Sequence, residues 1–370
     1  KAHNAESYLQ RRWEMSNLAG ADSYKRIRSL TNWIMGFTTA LQQFITVAMV
    51  VGGVYMFHAN QLTLGGLIAS VILAGRAISP LASVMSLASR YQQASSALET
   101  LDGLMKRPRD RIHGRNYLVP ESVQGGLQAD ALEFAYPGQH KIPVIKNLSM
   151  SIAPGQKVAM LGRVGSGKST LLRLMAGLYA PLAGNVRLDG VDMQQIEPTE
   201  MRSRIGYVGQ DPQLFMGTVR ENLVLADSWI SDTKIVEVLK TLNIYDIVSN
   251  HPLGLDMPIT EAGGGLSGGQ RQLLSIARMM LRNPQLVFMD EPTANMDQNT
   301  EARVILVLRD WLRGRTLLMS THRPQLLEWA DLIAVIDSGQ CVAWGPKQEM
   351  LDKLSRGIDV NGTKPQGAVA

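Results

Sequence analysis

The stretch MLGRVGSGKSTLLRLMAGL, residues 160–178, constrains the fold more than any other, because an apolar run passes into glycines and then into an amphipathic helix pattern. Gly162, Gly165, Gly167, Lys168 and Ser169 match the pattern G-x-x-x-x-G-K-S/T, in which a glycine-rich loop turns backbone N–H groups toward nucleotide phosphates. The preceding run predicts a buried strand and the following run predicts a helix, as the pattern requires. This context disfavours the alternative, a glycine-rich turn with a solvated lysine.

The same pattern assigns chemistry to individual side chains. The N-terminus of the following helix would point its positive dipole end at the bound anion. Lys168 would reach the β- and γ-phosphates, and the Ser169 hydroxyl would bind Mg²⁺.

A pair of carboxylates ends a second apolar strand in QLVFMDEP. Asp290 is suited to hold Mg²⁺ directly or through water, while Glu291 could polarise the attacking water and accept its proton. Taken alone, such a pair could equally be a solvated turn, so this interpretation depends on the phosphate loop.

A second anion-binding pattern lies in LSGGQRQ, where Ser267 and two glycines precede a helix. One nucleotide needs one phosphate loop, so the second element could serve a nucleotide held by another copy of the domain. The alternative is an ordinary helix N-terminus.

Two apolar segments near the start of the chain are predicted to cross a membrane. Trp33 to Phe57 contains no charged residue, and a second segment begins at Leu62. The short connection HANQ lacks Lys and Arg while both outer flanks are rich in them, so the positive-inside rule places both ends of the pair in the cytoplasm. A buried helical hairpin in a soluble protein is the alternative.

Charge and cysteine content narrow the class of protein. The net charge is +5, and the basic residues cluster in QRRWE, YKRIR and KRPRDRIHGR beside the apolar segments, which favours membrane flanks over nucleic-acid binding. Cys341 is the single cysteine, so the sequence offers no internal disulfide framework and no Cys-based metal cluster. We interpret it as a structural thiol in a strand.

Apolar strands alternate with helical patterns from about residue 127, which predicts an α/β core built on a parallel sheet. The sequence begins in mid-pattern at Lys1, and we expect a fragment. Residues 1–105 are predicted to be the C-terminal part of a transmembrane domain, with a cytoplasmic helix extension at 1–31 and spans at about 33–57 and 62–85. A linker at 106–126, an ATPase domain at 127–354 and a loose tail at 355–370 are predicted to follow.

Residues 127–354 resemble the ATPase domain of ABC transporters over essentially its full length. The resemblance implies an α/β P-loop NTPase fold, ATP and Mg²⁺ as cofactors, and ATP hydrolysis by a transporter. The matched residues are the Walker A loop with Gly162, Arg163, Val164, Gly165, Ser166, Gly167, Lys168, Ser169 and Thr170, the Walker B strand with Asp290 and Glu291, and the signature with Leu266, Ser267, Gly268, Gly269 and Gln270.

Further roles are implied by the resemblance. Gln210 matches the Q-loop glutamine that senses Mg²⁺ and meets the membrane domain, and His322 matches the switch histidine that contacts the γ-phosphate. Tyr136 matches the aromatic residue that stacks on adenine, with an inward-facing strand aromatic as the alternative. Implied catalytic residues are Glu291, His322, Gln210 and Lys168, and implied metal ligands are Ser169, Gln210 and Asp290.

The family's sites form between two domains, so the resemblance also implies a homodimer with two competent sites. Each signature would complete the other subunit's Walker A site. The D-loop here is ANMD, whereas many relatives have Ser-Ala-Leu-Asp; Asp297 is kept, and the three residues before it differ.

The two predicted spans look like the last third of an exporter's membrane domain. The resemblance thus implies that the α/β ATPase domain is preceded by an all-α transmembrane segment of the ABC exporter type. The stretches AESYLQRRWE, LTLGGLIASVILAGRAISPL, YQQASSALETLD and ITEAGGGLSGGQRQ resemble the permease/ATPase of type I secretion systems. This implies ATP-driven export of a polypeptide, a toxin or large adhesin, across the bacterial inner membrane. The ATPase domain would lie in the cytoplasm. The partners implied for the whole protein are membrane lipid, a periplasmic adaptor (membrane fusion protein), an outer-membrane channel and the exported polypeptide.

Other functions remain as alternatives to this interpretation. A peptide, bacteriocin, lipid or drug exporter would share the same architecture. A soluble ABC-type ATPase of DNA maintenance would show a basic face without spans, and a phosphate-transferring kinase would not need a signature; the apolar segments and the signature argue against these two. Nucleic acid is not expected as a partner.

Arg76 interrupts the apolar run LIASVILAG of the second predicted span, and Pro80 follows it. Placing an arginine against lipid near the bilayer centre costs at least ~2.5 kcal/mol, so such residues usually face a protein interior or an aqueous path. We therefore expect Arg76 to line the translocation path; the alternative is that its side chain snorkels to the headgroups.

Overall fold

A computed structural model gives the architecture of most of the chain. The residues described are 4–107, 110–111, 114–138, 142–225, 227 and 229–355. They divide into two compact units, Lys1–Arg109 and Asp110–Ala370. The predicted tail falls almost wholly in 356–370, which lies outside the described residues.

The first unit is a pair of long helices, α1 (Glu6–His58) and α2 (Leu64–Met105). The Thr63 side chain caps α2 by accepting a hydrogen bond from the Gly66 amide at 3.2 Å. Near the turn, Gly53 is covered by Leu67, and a Cβ on Gly53 would lie 2.8 Å from Leu67 Cδ1. The absence of a side chain at this glycine therefore allows the two helices to approach closely.

Among the described residues, one helix segment is long and apolar enough to cross a membrane, judged by length and composition only. It is Asn32–His58, with 27 residues and a mean hydropathy of 1.6. In α2 the apolar segment is the shorter Leu64–Ala77. The side chains of 78–86 lie outside the described ones, so the second span stays a prediction.

The second unit contains the strands of the fold. They are β1 (Leu127–Phe134), β2 (Ile145–Ile152), β3 (Lys157–Leu161), β4 (Ala183–Leu188), β5 (Val191–Asp192), β6 (Ile205–Val208), β7 (Gly217–Thr218), β8 (Pro258–Ile259), β9 (Leu286–Asp290), β10 (Thr316–Ser320), β11 (Leu332–Asp337) and β12 (Gln340–Pro346).

Helices alternate with these strands, as the sequence pattern predicts. They are α3 (Lys168–Met175), α4 (Pro198–Arg204), α5 (Val219–Val224), α6 (Asp232–Thr241), α7 (Asp246–Ser249), α8 (Gly268–Arg282), α9 (Gln298–Trp311), α10 (Pro324–Leu327) and α11 (Lys347–Ser355). Cys341 lies in strand β12, where burial raises the pKa of its thiol to about 11.

The sheets have different hydrogen-bonding patterns. A six-stranded sheet has the order β12-β11-β3-β10-β9-β6, and all its neighbours are parallel except β12, which pairs with β11 in antiparallel fashion. A four-stranded antiparallel sheet has the order β2-β1-β4-β5. Residues that follow β3, β6, β9 and β10 therefore leave the same edge of the six-stranded sheet.

Both faces of the parallel sheet are buried, which explains why its strands are continuously apolar. Along β9, Leu286 and Phe288 face a core shared with α3 and the antiparallel sheet. The alternate residues Val287 and Met289 face a second core that includes α6, α8 and α9. Successive side chains of β9 therefore point to opposite faces of the sheet, as they do in any β-strand.

The turn between β11 and β12 supports the glycine-rich loop that follows β3. The Gly339 amide donates to the Ser166 carbonyl at 3.0 Å, and the Gly339 carbonyl accepts from the Lys146 amide at 2.9 Å. Gly339 has φ +83°, and a Cβ there would collide with the Val144 carbonyl oxygen. Only glycine meets both requirements without displacing the loop.

We predict that Gly339→Ala destabilises the protein more than Gly314→Ala does. Gly314 has a similar φ of +74° but open space around it, so Gly314→Ala measures the backbone strain alone, about 1–2 kcal/mol. Gly339→Ala adds the steric clash to that strain. Denaturant unfolding of the chain in detergent measures both losses. Equal losses would contradict a close approach at Gly339.

Candidate active site

The loop between β3 and α3 is shaped by its glycines. Gly167 is the N-cap of α3 with φ 103°, in the left-handed region, which is strained for residues with a side chain. A Cβ on Gly162 would lie 2.8 Å from Ser166 Oγ and would also collide with the Ile336 carbonyl oxygen. The loop thus follows a path that requires small residues, and its backbone runs into the N-terminus of a helix.

Lys168 is held inside this loop. Its Nζ donates to the carbonyl oxygens of Gly162 at 2.7 Å and Arg163 at 3.0 Å. Burial lowers the pKa of Lys168, and the carboxylates of Glu291 and Asp290 oppose this shift. Because the ammonium group is desolvated and close to the loop backbone, it is poised to contact an anion that enters the loop.

Other residues of the loop differ widely in exposure. Ser166, Lys168 and Thr170 are buried, and Ser166 Oγ has no hydrogen-bond partner. Val164 is 97% exposed at the tip of the loop.

Asp290 lies at the end of β9, beside the end of β10. The register pairs it with Ser320, which in turn pairs with Met160 of β3. Asp290 is 1% exposed; its Oδ1 accepts a 2.5 Å hydrogen bond from Ser320 Oγ, and its Oδ2 has no hydrogen-bond partner. A buried carboxylate oxygen without a donor is costly unless a cation satisfies it.

Asp290, Ser169 and Gln210 have the oxygen atoms that a magnesium site requires. Mg²⁺ prefers oxygen ligands, and Asp290 Oδ2, the Ser169 hydroxyl and the Gln210 amide group supply that type of donor. The unpartnered Asp290 oxygen is the observation that supports this fit.

Glu291 follows Asp290 and has a strained backbone. Its φ of 45° lies in the left-handed region, where a residue with a side chain is strained by about 1–3 kcal/mol. Residues with such strain cluster at functional sites. The Glu291 amide donates to the Ser320 carbonyl at 3.0 Å. Gln210 Nε2 donates to Glu291 Oε2 at 3.4 Å, and His322 Nε2 lies 3.8 Å from Glu291 Oε1. Two loops thus bring polar side chains to the one carboxylate of Glu291.

Tyr136 packs beside helix α3 and against two other aromatic rings. Its hydroxyl is 2.9 Å from Thr170 Oγ1, and its ring packs edge-on against Phe134 and Tyr179 with centroid distances of 5.2 and 5.7 Å. The aromatic side chain therefore adjoins the helix that begins at the glycine-rich loop.

The signature residues, 266–270, form the N-terminus of helix α8. Ser267 Oγ accepts from the Gln270 amide at 3.2 Å, while Gln270 Oε1 accepts from the Ser267 amide at 2.9 Å, which is a capping box at the beginning of α8. Leu266 is buried just before it. Asp297 caps α9 by accepting from the Asn299 and Thr300 amides, both at 3.0 Å. A side-chain hydrogen bond with Thr300, followed by these amide hydrogen bonds, lowers the pKa of Asp297.

The signature lies apart from the glycine-rich loop. A cavity of about 430 Å³ is bordered by Ser267, Gly268, Gly269 and Gln270 together with Asp297. In the described part of the chain, no hydrogen bond or ion pair joins the signature to the glycine-rich loop. The structure thus groups Lys168, Asp290, Glu291, Gln210 and His322 through direct contacts or charge interactions, and it does not bring Ser267 into that group.

Several supporting residues are absent from the sequence-based prediction. Arg278 Nε donates to the Asn222 carbonyl at 2.7 Å, and Arg278 Nη1 donates to the Gln213 carbonyl at 3.2 Å, so α8 holds the segment after Gln210. Burial lowers the pKa of Arg278 to about 10. Its position in the amphipathic helix pattern gives no signal of this role, because the two carbonyls belong to segments distant in sequence.

Glu301 is a second such residue. Its Oε1 accepts from Thr293 Oγ1 at 2.7 Å and lies 3.6 Å from Arg323 Nε. The first turn of α9 is thereby connected to the segments that follow Glu291 and His322.

Comparisons with known proteins agree with this arrangement. Residues 145–294 match the family model described as ABC transporter. The chain is 32% identical to the ATP-dependent lipid A-core flippase of Thiobacillus denitrificans, over 96% of this chain and 61% of that protein. It is also 32% identical to the toxin RTX-I translocation ATP-binding protein of Actinobacillus pleuropneumoniae, over 84% of this chain and 44% of that protein.

A solved structure matches both units. A bacterial Atm1-family ABC exporter with ATP bound has a TM-score of 0.83 and 26% identity, over 97% of this chain and 64% of that chain. The α/β part of the chain is therefore an ABC transporter ATPase domain, the ATP-hydrolysing domain of that family. The chain spans less than two thirds of the length of each of these relatives.

Proposed function

We propose that this ATPase domain hydrolyses ATP at the edge of the parallel sheet where Lys168, Asp290 and Glu291 lie. The observation that carries the proposal is the approach of Gln210 and His322, from two separate loops, to the two oxygens of Glu291. A carboxylate held between an amide and an imidazole is suited to orient a water molecule and accept its proton. The glycine-rich loop of 162–170 would hold the phosphates.

Each side chain has a proposed task in that reaction. Lys168 would exchange the carbonyl oxygens of Gly162 and Arg163 for phosphate oxygens when ATP binds. Asp290 and Ser169, with Gln210, would hold Mg²⁺, which neutralises charge on the β- and γ-phosphates. His322 would contact the γ-phosphate, and Tyr136 would stack on adenine.

We predict that Glu291→Gln preserves ATP binding and lowers ATP turnover by roughly 100-fold or more, because an amide cannot accept the proton of the attacking water. Steady-state hydrolysis and equilibrium binding of a fluorescent ATP analogue measure the two effects separately. Glu328→Gln, which changes an exposed carboxylate in the same unit, is the matched control and should leave both unchanged. Rapid hydrolysis by Glu291→Gln would remove Glu291 from the reaction.

We also propose that the chain acts as a homodimer in which each signature completes the partner's nucleotide site. The separation of Ser267 from the glycine-rich loop within one subunit supports this, because an exposed helix start that caps itself is available to a ligand held elsewhere. Asp297 would lie at the same interface.

The shared site predicts different activities for two mixed dimers that carry the same pair of lesions. When Lys168→Ala is in one chain and Ser267→Arg is in the other, both lesions fall in one composite site and the second site stays intact. When one chain carries both changes and its partner is wild type, each site carries one lesion. Mixed dimers purified with two affinity tags should hydrolyse ATP in the first arrangement and be nearly inactive in the second; equal activities would contradict a shared site.

For the whole protein we propose ATP-driven export across the bacterial inner membrane, with the ATPase domain in the cytoplasm. The apolar segment Asn32–His58 in the same chain as the ATPase domain supports a multi-pass membrane protein, as does the similarity to an exporter over 97% of the chain. We retain the predicted division into membrane part, linker (106–126) and ATPase domain (127–354) as part of this proposal; α2 ends at Met105 and β1 begins at Leu127.

The proposed substrate is a polypeptide, a toxin or large adhesin, in a type I secretion system with a periplasmic adaptor and an outer-membrane channel. The similarity to a protein named for toxin translocation supports it, together with the type I stretches of the sequence. The equal identity to a lipid A-core flippase supports a lipid exporter as the second candidate. Peptide or drug export would use the same ATPase chemistry.

Arg76 is proposed to line the translocation path. It lies in α2 and is exposed at the edge of the apolar segment Leu64–Ala77. A cationic side chain at this position in a helix is stabilised by a protein interior or by water, which a transport path supplies.

In the complete transporter, Arg76→Ala should lower export while membrane insertion and basal ATP hydrolysis stay near wild-type values. Arg90→Ala, which removes an exposed arginine from the same helix outside the apolar segment, is the control. Export by the Arg76 variant equal to that of the control would leave the snorkelling interpretation.

A further inference from the structure

We propose that Ser320 is a positioning residue for ATP hydrolysis. Its hydroxyl fixes Asp290 so that one carboxylate oxygen stays open for a divalent cation, and its backbone fixes Glu291. The inference rests on the proposed function, because it assigns a role to Ser320 through Asp290 and Glu291.

The side-chain contact is the first observation. Ser320 is fully buried at the end of β10, and its Oγ donates to Asp290 Oδ1 at 2.5 Å. Hydrogen bonds from a hydroxyl to a carboxylate are short and strong because the acceptor is charged. The bond distinguishes the two oxygens of Asp290, since Oδ1 has a donor and Oδ2 has no hydrogen-bond partner.

The main-chain contact is the second observation. The Ser320 carbonyl accepts from the Glu291 amide at 3.0 Å, directly after the strand register that pairs Ser320 with Asp290. Glu291 has a φ of 45° there, a conformation that persists only when its surroundings hold it. One residue therefore contacts both acidic residues: its side chain donates to the Asp290 carboxylate, and its backbone carbonyl accepts from the Glu291 amide.

The position of Ser320 also relates these carboxylates to His322, which follows two residues later and lies 3.8 Å from Glu291. A hydroxyl that only satisfied a buried acceptor would affect protein stability alone. A hydroxyl that orients a metal-binding carboxylate would in addition change affinity for the metal, and loss of such outer hydrogen bonds typically lowers metal affinity 10- to 100-fold.

The test measures Mn²⁺ as a spectroscopic substitute for Mg²⁺. The 370-residue chain in detergent, with a non-hydrolysable ATP analogue, is titrated with Mn²⁺ and free Mn²⁺ is followed by electron paramagnetic resonance. Ser320→Ala should weaken Mn²⁺ binding roughly 10-fold or more, with nucleotide binding in EDTA unchanged. The Mg²⁺ concentration for half-maximal hydrolysis should rise by a similar factor, and saturating Mg²⁺ should restore much of the rate.

Two variants provide matched comparisons. Thr316→Val removes another fully buried hydroxyl from β10, one that accepts from the Gly155 amide at 2.8 Å, and should leave Mn²⁺ affinity at the wild-type value. Ser320→Cys keeps a weak donor at the same place and should bind Mn²⁺ with intermediate affinity. The cysteine variant decides the question if Ser320→Ala does not fold.

Asp290→Asn separates failure of this inference from failure of the proposed function. Wild-type Mn²⁺ affinity in Ser320→Ala, together with weakened affinity in Asp290→Asn, would overturn the role of Ser320 alone. Unchanged affinity in both would overturn the metal assignment of Asp290, and with it this inference. A Ser320→Ala hydrolysis rate that is lowered by the same factor at every Mg²⁺ concentration, together with a lower Tm, would also overturn the role of Ser320 in positioning Asp290. Only a structural role predicts that result.

Discussion

The parallel hydrogen bonding of β10 to β9 on one side and to β3 on the other is the constraint on which the proposed site depends. It places Asp290, Ser320 and Met160 at one level of the sheet, so the segments that leave these strands start from a common edge. The glycine-rich loop leaves from β3, the pair of carboxylates from β9 and His322 from β10. Because both faces of the sheet are buried in apolar cores, this register cannot slip without moving buried side chains to the wrong face.

Helix α8 supports the other side of the site by polar contacts. Arg278 binds the segment after Gln210 through two backbone carbonyls, and Gln272 Nε2 donates to the Gly209 carbonyl at 3.3 Å. The helix that begins at the signature is thereby connected to Gln210, which itself contacts Glu291. A displacement of α8 would therefore move Gln210 relative to the Glu291 carboxylate, which gives the proposed shared site a physical route between subunits.

The sequence predicted the features that depend on local pattern. The loop from Gly162 to Ser169 has a fixed spacing, and the apolar run before Asp290 has the composition of a buried strand, so both could be located without the structure. The contact of Ser320 with Asp290 and the contacts of Arg278 could not be predicted, because they arise from strand register and helix packing between segments far apart in sequence. Nor could sequence show that Lys168 binds the carbonyls of its own loop. The relatives named for lipid and for toxin transport are each 32% identical to the chain, so overall sequence identity does not choose between these substrates.

The central claim is that one edge of the parallel sheet holds ATP and its metal. The most direct measurement is a crystal structure of the chain with Mn²⁺ and a non-hydrolysable ATP analogue, in which anomalous scattering locates the metal. The account predicts a metal peak beside Asp290 Oδ2, with the phosphates in the glycine-rich loop and Lys168 released from the Gly162 carbonyl. A nucleotide in that loop with the metal bound away from Asp290, or a nucleotide bound elsewhere, would contradict it.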